Sequence, residues 1–192
     1  MSDHIDFYFD IISPYAYIAY KKILKKKNIN FNYKPIFLGG LHNLAGIDSP
    51  AFNKYKIKNT INDCNLVAQK NSIDFKWNYK FPINSLNMMR GYLCVNDEIK
   101  NDYLNCFFEA YWKENQDLSN SENIIKLLEN LKIDSKQFFE CIKEQKVKDK
   151  LIKLTTDAFE KEVFGAPTFI VNNKIFWGQD RLEYALEEFS AN

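Results

Sequence analysis

The 192-residue chain has no Cys-x-x-Cys motif, and it contains only two arginines, two histidines and four cysteines. The cysteines are Cys64, Cys94, Cys106 and Cys141. Because they are far apart in sequence and no export signal is evident, we expect four reduced thiols. Neither His4 nor His42 is near a cysteine in sequence, which argues against a zinc site.

No apolar run is long enough to span a bilayer. Residues 1–4 lead directly into the first apolar stretch, without the basic and apolar regions of a signal peptide. The net charge is only +1, from 26 basic and 25 acidic residues, which gives no electrostatic reason for a nucleic-acid or membrane partner. We therefore expect a cytoplasmic globular protein with neither kind of partner.

A short aromatic stretch followed by a helix start organises the rest of the chain. Residues 5–9 are typical of a buried strand. Ser13 is a good N-cap and Pro14 suits the first helical position. Apolar residues then recur with helical spacing from Ala16 to Leu24. Ser13 is thus predicted at the carboxyl end of a strand, where free N–H groups and the helix dipole favour an anion.

In a thioredoxin-type fold this strand-turn-helix carries the reactive Cys-x-x-Cys, whereas here residues 13–16 are Ser-Pro-Tyr-Ala. Disulfide exchange is therefore impossible at this position, but a hydroxyl there can donate a hydrogen bond to a thiolate from another molecule. The alternative is that Ser13 only caps the helix.

The next segments predict a second strand and then a helical block. Phe31, Tyr33 and Phe37 alternate with polar residues as in a strand interrupted near Pro35. A β-α-β start of this length predicts parallel strands. Further on, Ser119 and Glu122 have the spacing of a capping box, which predicts a helix beginning at Ser119.

The carboxyl end returns to strand. Residues 168–171 and 174–177 flank the turn signal Asn172-Asn173 and predict a hairpin. Asp180 is the expected N-cap of a last helix. The pattern as a whole indicates an α/β, thioredoxin-like fold with a large all-helical insertion. We predict a thioredoxin-like domain from residues 1–45 and 164–192, a helix at about 146–163 leading back to it, and an inserted helical domain at 46–145.

Three separated stretches carry a family resemblance: residues 6–15, 81–91 and 164–182. They contain Asp-Phe-Tyr-Phe-Asp with Ser-Pro-Tyr, Phe-Pro-Ile-Asn-Ser with Met-Arg-Gly, and Phe-Gly-Ala-Pro-Thr-Phe with Phe-Trp-Gly-Gln-Asp-Arg-Leu. Together they resemble 2-hydroxychromene-2-carboxylate isomerase and its relative, the kappa-class glutathione transferase. The resemblance covers nearly the whole chain and implies a dimeric, glutathione-binding enzyme with an aromatic or otherwise electrophilic small-molecule substrate.

The resemblance assigns roles to residues. It implies that Ser13 hydrogen-bonds the glutathione sulfur, that the backbone of Ala166 pairs with the cysteinyl part, and that the bond from Ala166 to Pro167 is cis. The remaining implied glutathione contacts are Lys56, at the glycyl carboxylate, and the turn formed by Gly178, Gln179 and Asp180. The implied substrate-side residues are Tyr15 and Asn84.

Each assignment has a simpler reading. Lys56 could be an ordinary solvated lysine, the 178–181 segment could be only a hairpin exit with a helix cap, and Ala166-Pro167 could form a trans turn. The chain also departs from the family near the second-substrate pocket, where Asn43 and Gly46-Ile47 replace a common lysine and Gly-Asn. Three functions stay open: an isomerase with catalytic glutathione, a transferase that leaves glutathione on the product, and a non-catalytic binding protein.

Overall fold

A computed structural model describes residues 2–191. Four strands form one mixed sheet in the order β2-β1-β3-β4. They are β1 (Ile5–Phe9), β2 (Phe31–Pro35), β3 (Thr168–Val171) and β4 (Lys174–Trp177). β1 pairs with β2 in parallel, and with β3 in the antiparallel direction. The predicted strands, the parallel first pair and the 168–177 hairpin are therefore confirmed.

Helices cover both faces of the sheet and build the middle of the chain. They are α1 (Pro14–Ile23), α2 (Leu38–Ala45), α3 (Lys54–Lys70), α4 (Leu86–Cys94), α5 (Lys100–Trp112), α6 (Ser121–Asn130), α7 (Ser135–Cys141), α8 (Gln145–Glu160) and α9 (Leu182–Ser190). The helices from α3 to α7 lie between the two parts of the sheet in sequence, so the thioredoxin-like architecture with a helical insertion is confirmed. The domain boundaries themselves stay a prediction, and its outermost residues, 1 and 192, lie outside the described range.

Two groups of buried side chains hold the sheet. The larger contains Phe7, Phe9 and Phe169 from the sheet together with Tyr20 of α1 and Phe108 of α5, and its rings stack at centroid distances such as 5.4 Å for Phe7 and Phe169. The smaller packs the opposite sheet face against α2 and α8. Its members are Tyr8, Ile36, Leu41, Ala158 and Val163. Both faces of β1 are thus buried, which fixes the position of the turn that follows it.

Two predicted helix starts are wrong by a few residues. α6 begins at Ser121, because Asn120 rather than Ser119 accepts the hydrogen bond from the Glu122 N–H. At the carboxyl end a single 3₁₀ turn, Gln179–Arg181, precedes α9, so Asp180 is not its N-cap. The Asp180 carboxylate instead pairs with Arg181 at 3.0 Å.

The prediction of four reduced thiols is wrong for two of the cysteines. Cys94, at the end of α4, and Cys141, at the end of α7, form a disulfide with their Cα atoms 6.1 Å apart. These helices pack against each other, a proximity that a sequence separation of 47 residues does not reveal. Cys64 and Cys106 are free.

Residues 2–191 lack two kinds of feature. No helix there is both long and apolar enough to cross a membrane. No group of three or more His, Cys, Asp or Glu side chains in the same range is placed to hold a metal ion.

Candidate functional site

Ser13 and Ala166, 153 positions apart, are joined by a direct hydrogen bond. The Ser13 hydroxyl donates to the Ala166 carbonyl at 2.8 Å and accepts from the Ala16 N–H at 3.2 Å. Ser13 is therefore the N-cap of α1, as predicted, with Pro14 in the first turn. The bond from Ala166 to Pro167 is cis, also as predicted. The structure thus brings together the hydroxyl, the start of a helix and the backbone before the cis proline.

A buried carboxylate holds the turn between β1 and Ser13. Asp10 is fully buried, and one of its oxygens accepts from the Ile12 N–H at 3.1 Å. The other accepts from the Leu38 N–H at 2.8 Å and from the Ser85 hydroxyl at 2.9 Å. One side chain therefore ties the Ser13 turn to the starts of α2 and α4.

Burial dominates the acidity of this group. Loss of hydration raises the pKa of Asp10 to about 6, although its three hydrogen-bond donors oppose the shift. No cation pairs with it among the described residues, so its charge at neutral pH is balanced by backbone and hydroxyl dipoles alone. Asp10 is a positioning group whose ionisation state is coupled to the geometry of the turn.

The hairpin exit lies beside the cis proline. The Gly178 N–H donates to the Pro167 carbonyl at 2.9 Å. Lys22, on the last turn of α1, donates to the Gln179 side-chain oxygen at 2.5 Å and to its backbone oxygen at 3.4 Å. Burial lowers the pKa of Lys22. These bonds connect Ser13, Ala166, Pro167, Gly178 and Gln179 through one helix and one hairpin.

Gly178 and Asp180 give this turn its shape. Gly178 has a φ of 110°, a conformation that side chains disfavour. A Cβ there would come within 2.6 Å of the Asp180 carboxylate. Glycine is therefore required for the Asp180 side chain to lie against the backbone of residue 178. The Asp180 carboxylate remains largely exposed.

Tyr15 of α1 contacts α3, and Lys56 belongs to α3. The Tyr15 hydroxyl donates to the Asp63 carboxylate at 2.8 Å. Burial, and to a smaller extent this hydrogen bond, raises the pKa of Tyr15. Lys56 is exposed and is seven residues before Asp63, which places both on one helix face about 10 Å apart. Tyr15 thus fastens α3 to α1 near Ser13, and no contact of the Lys56 side chain ties it directly to the Ser13 group.

Asn84 precedes α4. Its side-chain oxygen accepts from the Leu86 N–H at 2.9 Å, and the residue is exposed. Its neighbour Ser85 bonds Asp10, so Asn84 is adjacent to the Ser13 turn through a single hydrogen-bonded link. Its side-chain oxygen already acts as a local cap.

The sequence alone did not identify two polar residues of the site, Lys22 and Asp10. Lys22 had a detectable signal: it lies on the polar side of an otherwise apolar helix, nine residues after Ser13. Asp10 stands between a buried strand and the apolar Ile11-Ile12, an unusual place for an unpaired acid. Their partners come from distant segments, so only the fold reveals them.

The chain resembles known proteins along almost its full length. The family described as "DSBA-like thioredoxin domain" matches residues 4–190. A protein named 2-hydroxychromene-2-carboxylate isomerase from Sphingobium xenophagum is 26% identical over 189 residues, covering 96% of each chain. Glutathione S-transferase kappa 1 of Caenorhabditis elegans is 24% identical over 197 residues, covering 92% of this chain and 86% of its own.

The fold has a solved counterpart. The structure of a selenomethionine-labelled 2-hydroxychromene-2-carboxylate isomerase superposes with a TM-score of 0.89 at 24% identity. The match covers 97% of this chain and 94% of that one. At this identity the likeness establishes the fold.

Proposed function

The chain belongs to the family of DSBA-like thioredoxin domains, and we propose that it is a glutathione-dependent isomerase of the 2-hydroxychromene-2-carboxylate isomerase type. The observation that carries this proposal is the hydrogen bond between Ser13 and Ala166. It puts a hydroxyl, where thioredoxin-type proteins have a reactive thiol, against the backbone that would receive a peptide-like ligand. The names of the relatives support the proposal.

The free backbone groups fit a peptide such as glutathione. Ala166 is partly exposed, and its N–H donates to no atom of residues 2–191. An unpaired backbone N–H of this kind can donate to an extended peptide bound in strand fashion. The Ala166 carbonyl already accepts one bond, from Ser13. We infer that this bond changes when the ligand binds.

Ser13 has one proton to donate. When a thiolate lies within reach, the hydroxyl turns from the Ala166 carbonyl to the sulfur, because a hydrogen bond to a charged acceptor is stronger than one to a neutral carbonyl. The carbonyl is then available to the ligand N–H. The Ser13 cap to Ala16 persists, since the oxygen accepts that bond through a lone pair.

The other residues hold the ends of the tripeptide. The exposed Asp180 carboxylate and the Gln179 side chain, oriented by Lys22, suit the ammonium and carboxylate of the γ-glutamyl end. Lys56, on the face of α3 that Tyr15 fastens to α1, suits the glycyl carboxylate. Tyr15 and Asn84 border the space for the second substrate.

Glutathione, when bound, would supply a thiolate whose addition to an electrophilic ring carbon lets the ring C–O bond break, and after rotation the thiolate would be eliminated and the double bond restored. Free thiols have a pKa near 8.5, so lowering it by two units requires about 2.7 kcal/mol of preferential thiolate stabilisation. The Ser13 hydroxyl contributes roughly 1.5–3 kcal/mol and the start of α1 up to about 2 kcal/mol. Ser13 and α1 therefore suffice without a separate base.

The experiment that tests the proposal follows both the substrate and the thiol. Purified protein is incubated with 2-hydroxychromene-2-carboxylate and a substoichiometric amount of glutathione. We expect many turnovers per glutathione and an unchanged thiol titre, with no reaction when S-methylglutathione replaces glutathione. Consumption of one thiol per product would show a transferase, and no turnover would refute the isomerase.

The setting of this activity is part of the same proposal. We propose a cytoplasmic homodimer that acts on small aromatic-derived electrophiles and has no nucleic-acid or membrane partner. The Cys94–Cys141 disulfide is at odds with a cytoplasmic location, since that compartment keeps thiols reduced; the two agree only if this bond is reduced in the cell. Alkylation of the thiols before cell lysis, followed by mass spectrometry, measures this state.

A further inference from the structure

A cavity of about 350 Å³ lies between α2, α4 and α8. Its walls are mainly apolar and include Phe37, Leu44, Leu86, Leu151 and Ile152. A volume of this size is typical of a small-molecule site and accommodates one or two fused or linked rings. Neither Ser13 nor Ala166 lines it.

Two cations line this apolar cavity. They are Arg90, from α4, and Lys148, from α8. The Arg90 Nε is buried and has no hydrogen-bond partner. Within residues 2–191, neither side chain forms an ion pair, and no acidic residue lines the cavity.

A buried guanidinium N–H without an acceptor is costly. A buried donor without an acceptor loses its hydration and gains nothing in exchange, and the penalty is larger for a charged group. Arginine stays protonated in proteins, so it cannot avoid this cost by losing its proton. Its planar fork matches a carboxylate better than any other common anion-bearing group except phosphate. The apolar walls favour a carboxylate attached to a ring over a hydrated phosphate.

We propose that this cavity binds the carboxylate of an apolar, ring-bearing monoanion, with Arg90 as its hydrogen-bonding partner and Lys148 as a second charge at the rim. The ligand's ring packs among the leucines and Phe37. Binding of the anion supplies the partner that the Arg90 Nε lacks.

Hydrogen bonds of Asp10 connect the wall of the cavity to the Ser13 turn. Asp10 bonds the N–H of Leu38 and the hydroxyl of Ser85, the residues next to the cavity-lining Phe37 and Leu86. It also bonds the N–H of Ile12, next to Ser13. Tyr15 and Asn84 do not line the cavity, but Asn43, a position that borders the second-substrate pocket of the resembled family, does. On that ground we identify the monoanion with the second substrate; this identification rests on the proposed function, whereas binding of the anion does not.

The test measures binding of trans-cinnamate and of its neutral isostere, cinnamamide, to the full chain by isothermal titration without glutathione. Wild type should bind the acid about tenfold or more tightly than the amide, as expected for a charge-assisted hydrogen bond. Arg90→Met should abolish this preference and Lys148→Met should reduce it. Lys150→Met, on the same helix but outside the cavity lining, should behave as wild type.

Equal binding of acid and amide by wild type would overturn the proposal, and this result does not depend on the folding of any variant. A preference for the acid that survives in Arg90→Met would also overturn it. Because glutathione is absent from the titration, failure of the isomerase assay leaves this result intact. Conversely, an active isomerase whose turnover cinnamate does not inhibit would separate the cavity from the second substrate.

Discussion

Replacing Ser13 by alanine is the most informative single change, because the hydroxyl has two separable tasks. It caps α1 through the Ala16 N–H and bonds the Ala166 carbonyl. We propose that it also stabilises the glutathione thiolate. The first task affects the free energy of unfolding, and the second affects the acidity of the bound thiol and the rate.

The structural cost is modest. Loss of an N-cap costs about 1 kcal/mol, and loss of a neutral hydrogen bond to a partly buried carbonyl costs about 1 kcal/mol more. For a chain of this size, a total of about 2 kcal/mol lowers Tm by roughly 4–8 °C. The fold should therefore survive, and glutathione affinity should remain largely intact because the contacts at Ala166 and the 178–180 turn are unchanged.

The chemical cost is larger. Losing one donor to a developing negative charge costs about 2.7–4 kcal/mol in comparable oxyanion sites, a rate loss of order 10²–10³. The pKa of the bound thiol should rise by about 1–2 units, which corresponds to a lost charge-assisted bond of roughly 1.5–3 kcal/mol.

Two assays separate the tasks: a pH titration of the thiolate absorbance of bound glutathione, and thermal unfolding. Ser49→Ala is a matched control, because Ser49 caps a 3₁₀ turn through the Ala51 N–H at 3.3 Å and has no proposed role in the site. It should lower Tm slightly and leave the thiol pKa unchanged. If Ser13→Ala also leaves the bound thiol titrating as in wild type, Ser13 is only a cap and the proposed chemistry is wrong.

Three further changes test the surroundings. The pKa of Asp10 is raised to about 6 in the folded state, so the folded protein binds this proton more tightly than the unfolded chain does. As the pH rises from about 4 to 7, the free energy of unfolding of wild type should therefore fall by up to about 3 kcal/mol relative to that of Asp10→Asn. A pH-independent difference in chemical unfolding would contradict this. Reduction of the Cys94–Cys141 disulfide, which spans 47 residues, should lower the free energy of unfolding by about 4 kcal/mol. Equal urea midpoints with and without reductant would contradict this. Lys22→Met should weaken glutathione binding about tenfold by releasing Gln179, with the bound thiol pKa unchanged; unchanged affinity in a calorimetric titration would remove Lys22 from the site.

The parts of the fold set by local sequence were predictable. The strand, the Ser13 cap and Pro14 lie within ten consecutive residues, so capping and burial patterns suffice to predict β1 and α1. The hairpin around Asn172-Asn173 follows from its turn residues in the same way. The start of α9 was misplaced because Gly178 and Asp180 favour a 3₁₀ turn first, a choice that capping preferences alone do not determine.

The unpredicted parts depend on contacts between distant segments. Asp10 meets Leu38 and Ser85 only after α2 and α4 pack near the turn. Similarly, Cys94 reaches Cys141 only through the packing of α4 on α7. No periodicity or motif encodes such distances, so the sequence proposes glutathione contacts only through a family resemblance and does not reveal the groups that would position them.

The measurement that tests the central claim most directly follows the Ala166 amide by NMR in ¹⁵N-labelled protein during a glutathione titration. Its N–H has no partner in residues 2–191, and our account requires it to donate to the bound peptide. We predict a saturable downfield shift of this proton, with amides of the Gln179 turn shifting at the same glutathione concentration. An Ala166 amide that does not move while glutathione binds, or no saturation at millimolar glutathione, would contradict the proposed site.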